Sequence, residues 1–255
     1  MPDTSRFSID GQYALVIGGT SGIGLEISRA YLDAGARVIV AGSNQDKLDR
    51  ALAELGHHGP VAGYRADVRD LDQLHGLVGL TLAHHGHLDL LVNCQGITRL
   101  KPAEDFTPED WTHIFDTNLR SVFFACTEVG RHMLGRGRGS IINIASLSSF
   151  RGWPRSALYS MTKTAIVSMT ETLATEWGAR GVRVNAIAPG FFMTELAQSA
   201  MDPVRRQRAL DRTPMGRWGE LDELVGAAIY LASPAARFVT GETLRVDGGF
   251  LASGL

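Results

Sequence analysis

The amino-acid sequence predicts an α/β fold: one doubly wound parallel sheet of about seven strands, with helices on both faces. Three observations carry that expectation. Short runs of Val, Ile and Leu alternate with longer segments of helical period along the chain, the pattern of βαβ units in a sheet covered on both sides. The first apolar run opens straight into a glycine-rich turn and then a helical pattern. No composition shift, linker or repeat divides the 255 residues, so a single domain over residues 1–255 is expected.

Tyr13 to Ile17, Val38 to Ala41, Leu88 to Val92, Ile141 to Ile144 and Val182 to Ile187 read as buried strands. Each is short, rich in Val, Ile or Leu, and bounded by Gly, Asn, Asp or Ser. A weaker strand, Val61 to Ala66, ends at Asp67, and a last one, Thr243 to Val246, precedes Asp247-Gly248-Gly249. Between them, Gly22 to Ala34 places Ile23, Ile27, Ala30 and Tyr31 on one helical face, and Leu71 to His84 repeats Leu at helical spacing. Thr107 to Leu134 reads as one long helix. It opens on a capping Thr107, Pro108 in the first turn, and Glu109 and Asp110 near the positive helix end. Ala157 to Ala179 carries Leu158, Met161, Ala165, Met169, Leu173 and Trp177 as an apolar stripe.

Composition narrows the function classes. Twenty-five basic against 27 acidic residues leave a net charge of −2, with no basic footprint for nucleic acid or for an anionic membrane. No apolar run reaches the roughly 18 residues of a membrane helix, and MPDTSRFSIDGQ lacks the basic-then-apolar order of a cleaved signal peptide. Cys94 and Cys126 make no disulfide framework. A soluble, cytoplasmic protein with a small-molecule partner is expected, binding neither nucleic acid nor membrane.

The turn after the first strand is Gly18-Gly19-Thr20-Ser21-Gly22-Ile23-Gly24. Glycines there let the chain turn sharply and bring backbone N–H groups to a diphosphate at the positive end of the following helix. Most glycine-rich stretches are only turns; strand, turn and helix in that order set this one apart. The spacing is GxxxGxG, and no Lys-Ser/Thr pair follows, so a Walker-type loop is excluded.

A second signal is Tyr159-Ser160-Met161-Thr162-Lys163 within a predicted helix. Tyr159 and Lys163, four residues apart, share one helix face. An ammonium near a phenol favours phenolate and lowers its pKa from about 10, as acid/base work on a carbonyl–alcohol pair requires. Ser146, thirteen residues before Tyr159 at the end of the IINI strand, can hydrogen-bond the same substrate oxygen. A bare YxxxK is more often an aromatic beside a solvated charge; the combination of signals lifts it above that.

The combination resembles the classical short-chain dehydrogenase/reductase family over essentially the whole chain. The glycine segment is similar to that family's TGxxxGxG, with Ile17 in place of Thr, and Asn93-Cys94-Gln95-Gly96 to its NNAG segment, with both inner residues changed. Asn118 matches the family's helix Asn, Ser146, Tyr159 and Lys163 its catalytic residues, and Pro189-Gly190 the PG after the sixth strand. Asp67-Val68 resembles the pair that contacts adenine, and Val246-Asp247-Gly248-Gly249 the C-terminal signature. The resemblance implies a Rossmann-type dinucleotide site that includes Asn93, Gly96, Pro189 and Gly190. It implies Tyr159 as proton donor and acceptor, and Ser146 as the group that orients the substrate oxygen. Lys163 would tune Tyr159 and hold the nicotinamide ribose, and Asn118 would support a water-linked relay. The implied reaction is hydride transfer between a nicotinamide and a ketone or secondary alcohol. The rival is a regulator that kept the fold and lost the chemistry; an intact Ser146, Tyr159 and Lys163 argues against it.

Cofactor choice turns on the end of the second strand. Family members that prefer NAD carry an Asp there, which repels a 2′-phosphate; the aligned residue is Gly42, followed by Ser43 and Asn44 as neutral donors. NADP(H) is therefore expected to be modestly preferred, with NAD(H) as the alternative, and Gly42→Asp to shift the preference by charge repulsion alone.

Other features are weighed and set aside. His84, His85 and His87, and His57-His58, read as surface histidines rather than metal ligands, and Arg136-Gly137-Arg138-Gly139 as a solvated loop. Cys94 reads as a small buried residue. Phe191, Phe192, Met193, Met201, Met215 and Trp218 follow Pro189-Gly190, with Phe150 and Trp153 near Ser146; plain core packing and an apolar or mixed substrate pocket both fit them. The resemblance makes roughly 190–218 a mobile substrate lid. It also implies a homotetramer, which the surplus apolar surface of Phe115, Leu119, Val122, Phe123 and Phe124 supports.

Overall fold

The computed structural model describes residues 4–194 and 202–253. Its seven strands are β1 (Tyr13–Ile17), β2 (Arg37–Gly42), β3 (Val61–Arg65), β4 (Leu90–Asn93), β5 (Gly139–Ile144), β6 (Val182–Pro189) and β7 (Thr243–Val246). All pair in parallel in the order β3-β2-β1-β4-β5-β6-β7. Successive side chains of a strand point to opposite faces, and the core is split accordingly. Leu15, Ile17, Ile39, Leu91, Ile141 and Val184 face one layer. Ala14, Val16, Val38, Val40, Val92 and Ile142 face the other. Near-continuous apolar strands are what burial on both faces demands.

Among the described residues the α-helices are α1 (Gly22–Asp33), α2 (Gln45–Leu55), α3 (Leu71–His85), α4 (Pro108–Phe115), α5 (Ser121–Arg136), α6 (Ala157–Trp177), α7 (Pro203–Asp211) and α8 (Asp222–Ala232). Helices α2, α7 and α8 were not read from the sequence. The predicted Thr107–Leu134 helix is real but interrupted: residues Asp116–Arg120 form a π turn between α4 and α5. Its start is as expected, since Thr107 Oγ1 accepts from Asp110 N and the Asp110 carboxylate accepts from Thr107 N. A π turn admits one extra residue, often at functional positions, and an inserted residue leaves no mark on a hydrophobic period.

Two expectations are corrected at the edge of the sheet remote from the strand C-termini. Arg136 and Arg138 are not merely solvated: both pair with the buried Asp89, at 3.2 and 2.7 Å, and Asp89 also accepts from Tyr13 N at 3.2 Å. They tie the turn before β5 to the start of β1. His85 and His87 pack on the Tyr13 ring, each at 4.6 Å between centroids. Burial lowers the His85 pKa to about 4, so this ring is a neutral packing element.

Candidate active site

The C-terminal ends of the strands open onto a cavity of about 1630 Å³. Its first corner is the turn after β1. Gly18 and Gly22 take positive φ, +79° and +52°, which favours glycine. A Cβ on Gly18 would lie 2.7 Å from Gln95 N, and one on Gly24 would collide with the Gly18 carbonyl; the turn therefore packs tightly against both the β4 loop and its own helix. Ser21, at the N-cap of α1, makes no side-chain cap, whereas Asn44 and Asp70 cap α2 and α3. The first amides of α1 thus meet the cavity without a protein acceptor from that side chain, in a cradle that side chains would fill. These residues fit a dinucleotide diphosphate.

Thr20, Ser21, Gly22, Ile23, Ser43, Asn44, Asp67, Val68, Gly96, Pro189 and Gly190 all line the cavity, as expected. Asn44 is partly committed, because its Oδ1 accepts from Lys47 N at 2.9 Å. Asp67 is held by Arg69 at 2.9 Å, and that hydrogen bond keeps its carboxyl below the usual range.

Three predicted residues do not reach the cavity surface. Gly24 lies behind Gly18 and serves helix–turn packing. Asn93 is buried between β4 and β5, its Nδ2 donating to Asn143 Oδ1 at 2.9 Å, while Asn143 Nδ2 donates to Thr170 Oγ1 at 3.0 Å. Its place is in a core polar network joining two strands to α6. Asn118 is fully buried in the π turn. Its Oδ1 accepts from Ile97 N at 2.8 Å, and its Nδ2 donates to Ile97 O at 2.9 Å and to Thr162 Oγ1 at 3.2 Å. It clamps the loop after β4 to α6, one layer behind Gly96.

Ser146, Tyr159 and Lys163 do meet at one wall of the cavity. Ser146 caps a short 3-10 turn, Leu147–Ser149, accepting from Ser148 N at 3.1 Å, and its hydroxyl is in hydrogen-bonding reach of Tyr159. Tyr159 and Lys163 lie one turn apart on α6. The expected pKa logic is altered, however. Burial raises the Tyr159 pKa above its ordinary value, and hydrogen bonding with Ser146 opposes the rise. The Lys163 ammonium lies 5.9 Å from the Tyr159 ring centroid and donates to Ile144 O at 2.6 Å. Burial lowers its own pKa to about 8. Burial therefore favours the neutral phenol of Tyr159 over its phenolate. Cys94 is half-buried and lines the cavity rather than lying in the core, and desolvation pushes its thiol up to about 12, which disfavours the thiolate.

The remaining wall mixes rings and charges. Trp153, Phe191 and Phe250 pack edge to face or tilted at 5.2–5.9 Å, and all three line the cavity, whereas Phe150, Met193, Met215 and Trp218 do not. Of the expected lid, residues 195–201, Met201 among them, lie outside the described residues. Gly219 N donates to Phe191 O at 2.9 Å, closing the base of that excursion. Sequence reasoning missed six arginines that line the cavity: Arg69 beside Asp67, and five more at 151, 155, 205, 208 and 212. No local motif marks them.

Comparison with known proteins agrees with this geometry. A family profile described as enoyl-(acyl carrier protein) reductase matches residues 18–251. The chain is 41% identical over 255 residues to gluconate 5-dehydrogenase of Gluconobacter oxydans, covering 99% of this chain and 100% of that one. It is 38% identical over 245 residues to D-threitol dehydrogenase of Mycolicibacterium smegmatis, covering 96% and 94%. The crystal structure of a gluconate 5-dehydrogenase from Burkholderia cenocepacia, in complex with NADP and tartrate, superposes with a TM-score of 0.90 at 40% identity, covering 97% and 98%.

Proposed function

This chain belongs to the short-chain dehydrogenase/reductase family, and we propose that it interconverts a ketone and a secondary alcohol on a small polyhydroxylated substrate, using NADP(H) in preference to NAD(H). The observation that carries this reading is the meeting of Ser146, Tyr159 and Lys163 on the wall of a cavity whose other end is a glycine cradle. When bound, the nicotinamide supplies or accepts the hydride. The rest falls to the chain. The Tyr159 phenol, kept protonated by burial, gives its proton to the carbonyl oxygen in reduction and recovers it from the alcohol in oxidation. The Ser146 hydroxyl donates to that oxygen and stabilises the charge developing there. Lys163, buried beside Tyr159, holds a ribose hydroxyl and biases the phenol. Asn118 acts one layer back by fixing the loop that carries Gly96.

NADP(H) is favoured because no acid occupies the end of β2, where Gly42, Ser43, Asn44 and Lys47 line the cavity. One dinucleotide-binding unit accounts for the chain, with residues on both sides of 195–201 covering the substrate. A homotetramer is favoured by Trp111, Phe123 and Met161, large apolar side chains exposed on α4, α5 and α6. A cytoplasmic setting fits two unpaired cysteines. The test of the activity is nicotinamide absorbance over a panel of polyols, sugar acids and their ketones, in both directions and with both cofactors. Absence of turnover across the panel sinks the reading, and light scattering that finds a monomer sinks the tetramer.

A further inference from the structure

Apart from Arg69, which holds Asp67, the arginines that line the cavity have an uneven environment. Arg205 donates to Pro154 O at 2.8 Å, joining α7 to the loop that follows Ser146. The Arg212 guanidinium lies 5.2 Å over the Phe250 ring. Arg151, Arg155 and Arg208 make no side-chain hydrogen bond or ion pair among the described residues. The two acids on the same wall are turned to local use: Asp202 accepts from Arg205 N at 2.9 Å, and Asp211 from Gln207 Nε2 at 2.8 Å. By contrast, Arg69 at the Asp67 corner of the cavity, and Arg29, Arg136, Arg138 and Arg217 outside it, each hold a carboxylate. A protein of net charge −2 thus sets, among the described residues, five guanidinium groups against two carboxylates on this part of the cavity wall.

Backbone geometry adds a second observation. Arg155 has φ +68°, the sole positive value outside glycine among the described residues. A long side chain held in that region is strained, and such strain concentrates where a side chain must be aimed. Its carbonyl is pinned by Lys101 N at 2.9 Å, so the conformation is held from outside the loop.

Position separates this rim from the cofactor's phosphates. The rim follows β5 and β6, whereas the corner at Gly42 follows β2. Three strand spacings of about 4.8 Å lie between β2 and β5, which sets Arg151 and Arg155, between Ser146 and Tyr159 in sequence, away from that corner, and the Arg205–Pro154 bond holds α7, with Arg208, to the same loop. Planar guanidinium forks match a carboxylate.

We propose that Arg151, Arg155 and Arg208 form a carboxylate-recognition rim, and that the substrate is a polyhydroxy acid rather than a neutral polyol, its carboxylate held at the rim while a carbon further along the chain meets Ser146 and Tyr159. This rests on the oxidoreductase reading above and selects within it.

D-Gluconate and D-sorbitol, six-carbon chains that differ at one end, test it, with sorbitol 6-phosphate as the phosphate alternative. Arg155→Gly removes the guanidinium while relieving the backbone, so folding is expected to survive; Arg208→Ala is the second variant. Arg180→Ala, outside the cavity, controls for bulk charge. The expected result is at least a 30-fold higher kcat/KM for gluconate than for sorbitol. In Arg155→Gly/Arg208→Ala the gluconate KM should rise at least 10-fold with kcat little changed, and sorbitol kinetics should move less than 3-fold. Calorimetric gluconate binding to the NADP-saturated protein should weaken in parallel. Equal use of gluconate and sorbitol, a preference for sorbitol 6-phosphate, or a gluconate KM unmoved in the double variant overturns the rim while leaving the oxidoreductase reading intact. Failure to turn over any member of the full panel overturns both.

Discussion

Placing an acid at the end of β2 tests the cofactor preference, and the structure shows why one substitution will not do it cleanly. An ideal Cβ on Gly42 would sit 2.7 Å from Thr20 Oγ1 and 2.9 Å from Thr20 Cγ2. Thr20 belongs to the glycine turn, so Gly42→Asp pushes on the diphosphate cradle before any charge acts. The single variant should therefore lose kcat/KM with both cofactors. Thr20→Ala removes both close atoms and leaves its own Cβ at 3.4 Å, ordinary contact. In the double variant the carboxylate acts by charge. At about 6 Å from a 2′-phosphate and an effective dielectric of about 20, one pair of unit charges repels by roughly 2.8 kcal/mol, or about 100-fold. Steady-state kcat/KM with each cofactor reads it out: the NADP/NAD ratio should fall about 100-fold in Thr20→Ala/Gly42→Asp. The reasoning is refuted if Gly42→Asp alone improves NAD use without loss, if the double variant leaves the ratio unchanged, or if the unmodified protein already prefers NAD.

The other predictions concern chemistry and stability. Tyr159→Phe should lower kcat by about 10²–10⁴-fold with cofactor affinity nearly unchanged, whereas Lys163→Ala should damage both; near-normal turnover in Tyr159→Phe would remove it from the acid/base role. With Tyr159 raised above its ordinary pKa, alcohol oxidation should accelerate as pH rises while carbonyl reduction holds from neutral pH upward, and Ser146→Ala should move the oxidation limb to higher pH. Lys163, at about 8 when folded against an ordinary 10.5, binds fewer protons folded than unfolded between those values. Its stability contribution is thus present above 10.5 and lost as pH falls to 8, so urea stability relative to Lys163→Met should rise across that window. Asn143→Ala takes the oxygen partner from buried Asn93 Nδ2 and one donor from Thr170, which keeps its own bond to Ile166 O, and should cost about 2–3 kcal/mol, a Tm loss of roughly 5–10 °C by calorimetry.

Much of the fold was legible because its signals are local. All seven strands were found within a few residues, since strands buried on both faces must be apolar throughout, and Gly or Asn must punctuate them. Helices α2 and α7 escaped because they are short and polar: Gln45–Leu55 buries Leu48, Ala51 and Leu55, and Pro203–Asp211 only Ala209. The strand–turn–helix order and the Tyr159–Lys163 spacing were legible for the same reason, because one turn of helix sets the relation.

What sequence could not show is which partner each polar group meets. Asn93 and Asn118 both stood in motif positions, yet each spends its amide on a contact more than 20 residues away in sequence, Asn143 and Ile97 respectively. Arg136 and Arg138 read as a solvated run because Asp89, 47 and 49 residues distant, is invisible to a local window. Burial reverses chemistry in the same way. A Lys four residues from a Tyr predicts a depressed phenol, but that inference assumes solvent around both. Lys163 instead donates to Ile144 O at the end of β5, and for Tyr159 desolvation outweighs the opposing hydrogen bond with Ser146. Burial thus favours the protonated phenol; under the proposed role of Tyr159, the carbonyl-reducing direction begins with that proton in place and the oxidising direction must first remove it.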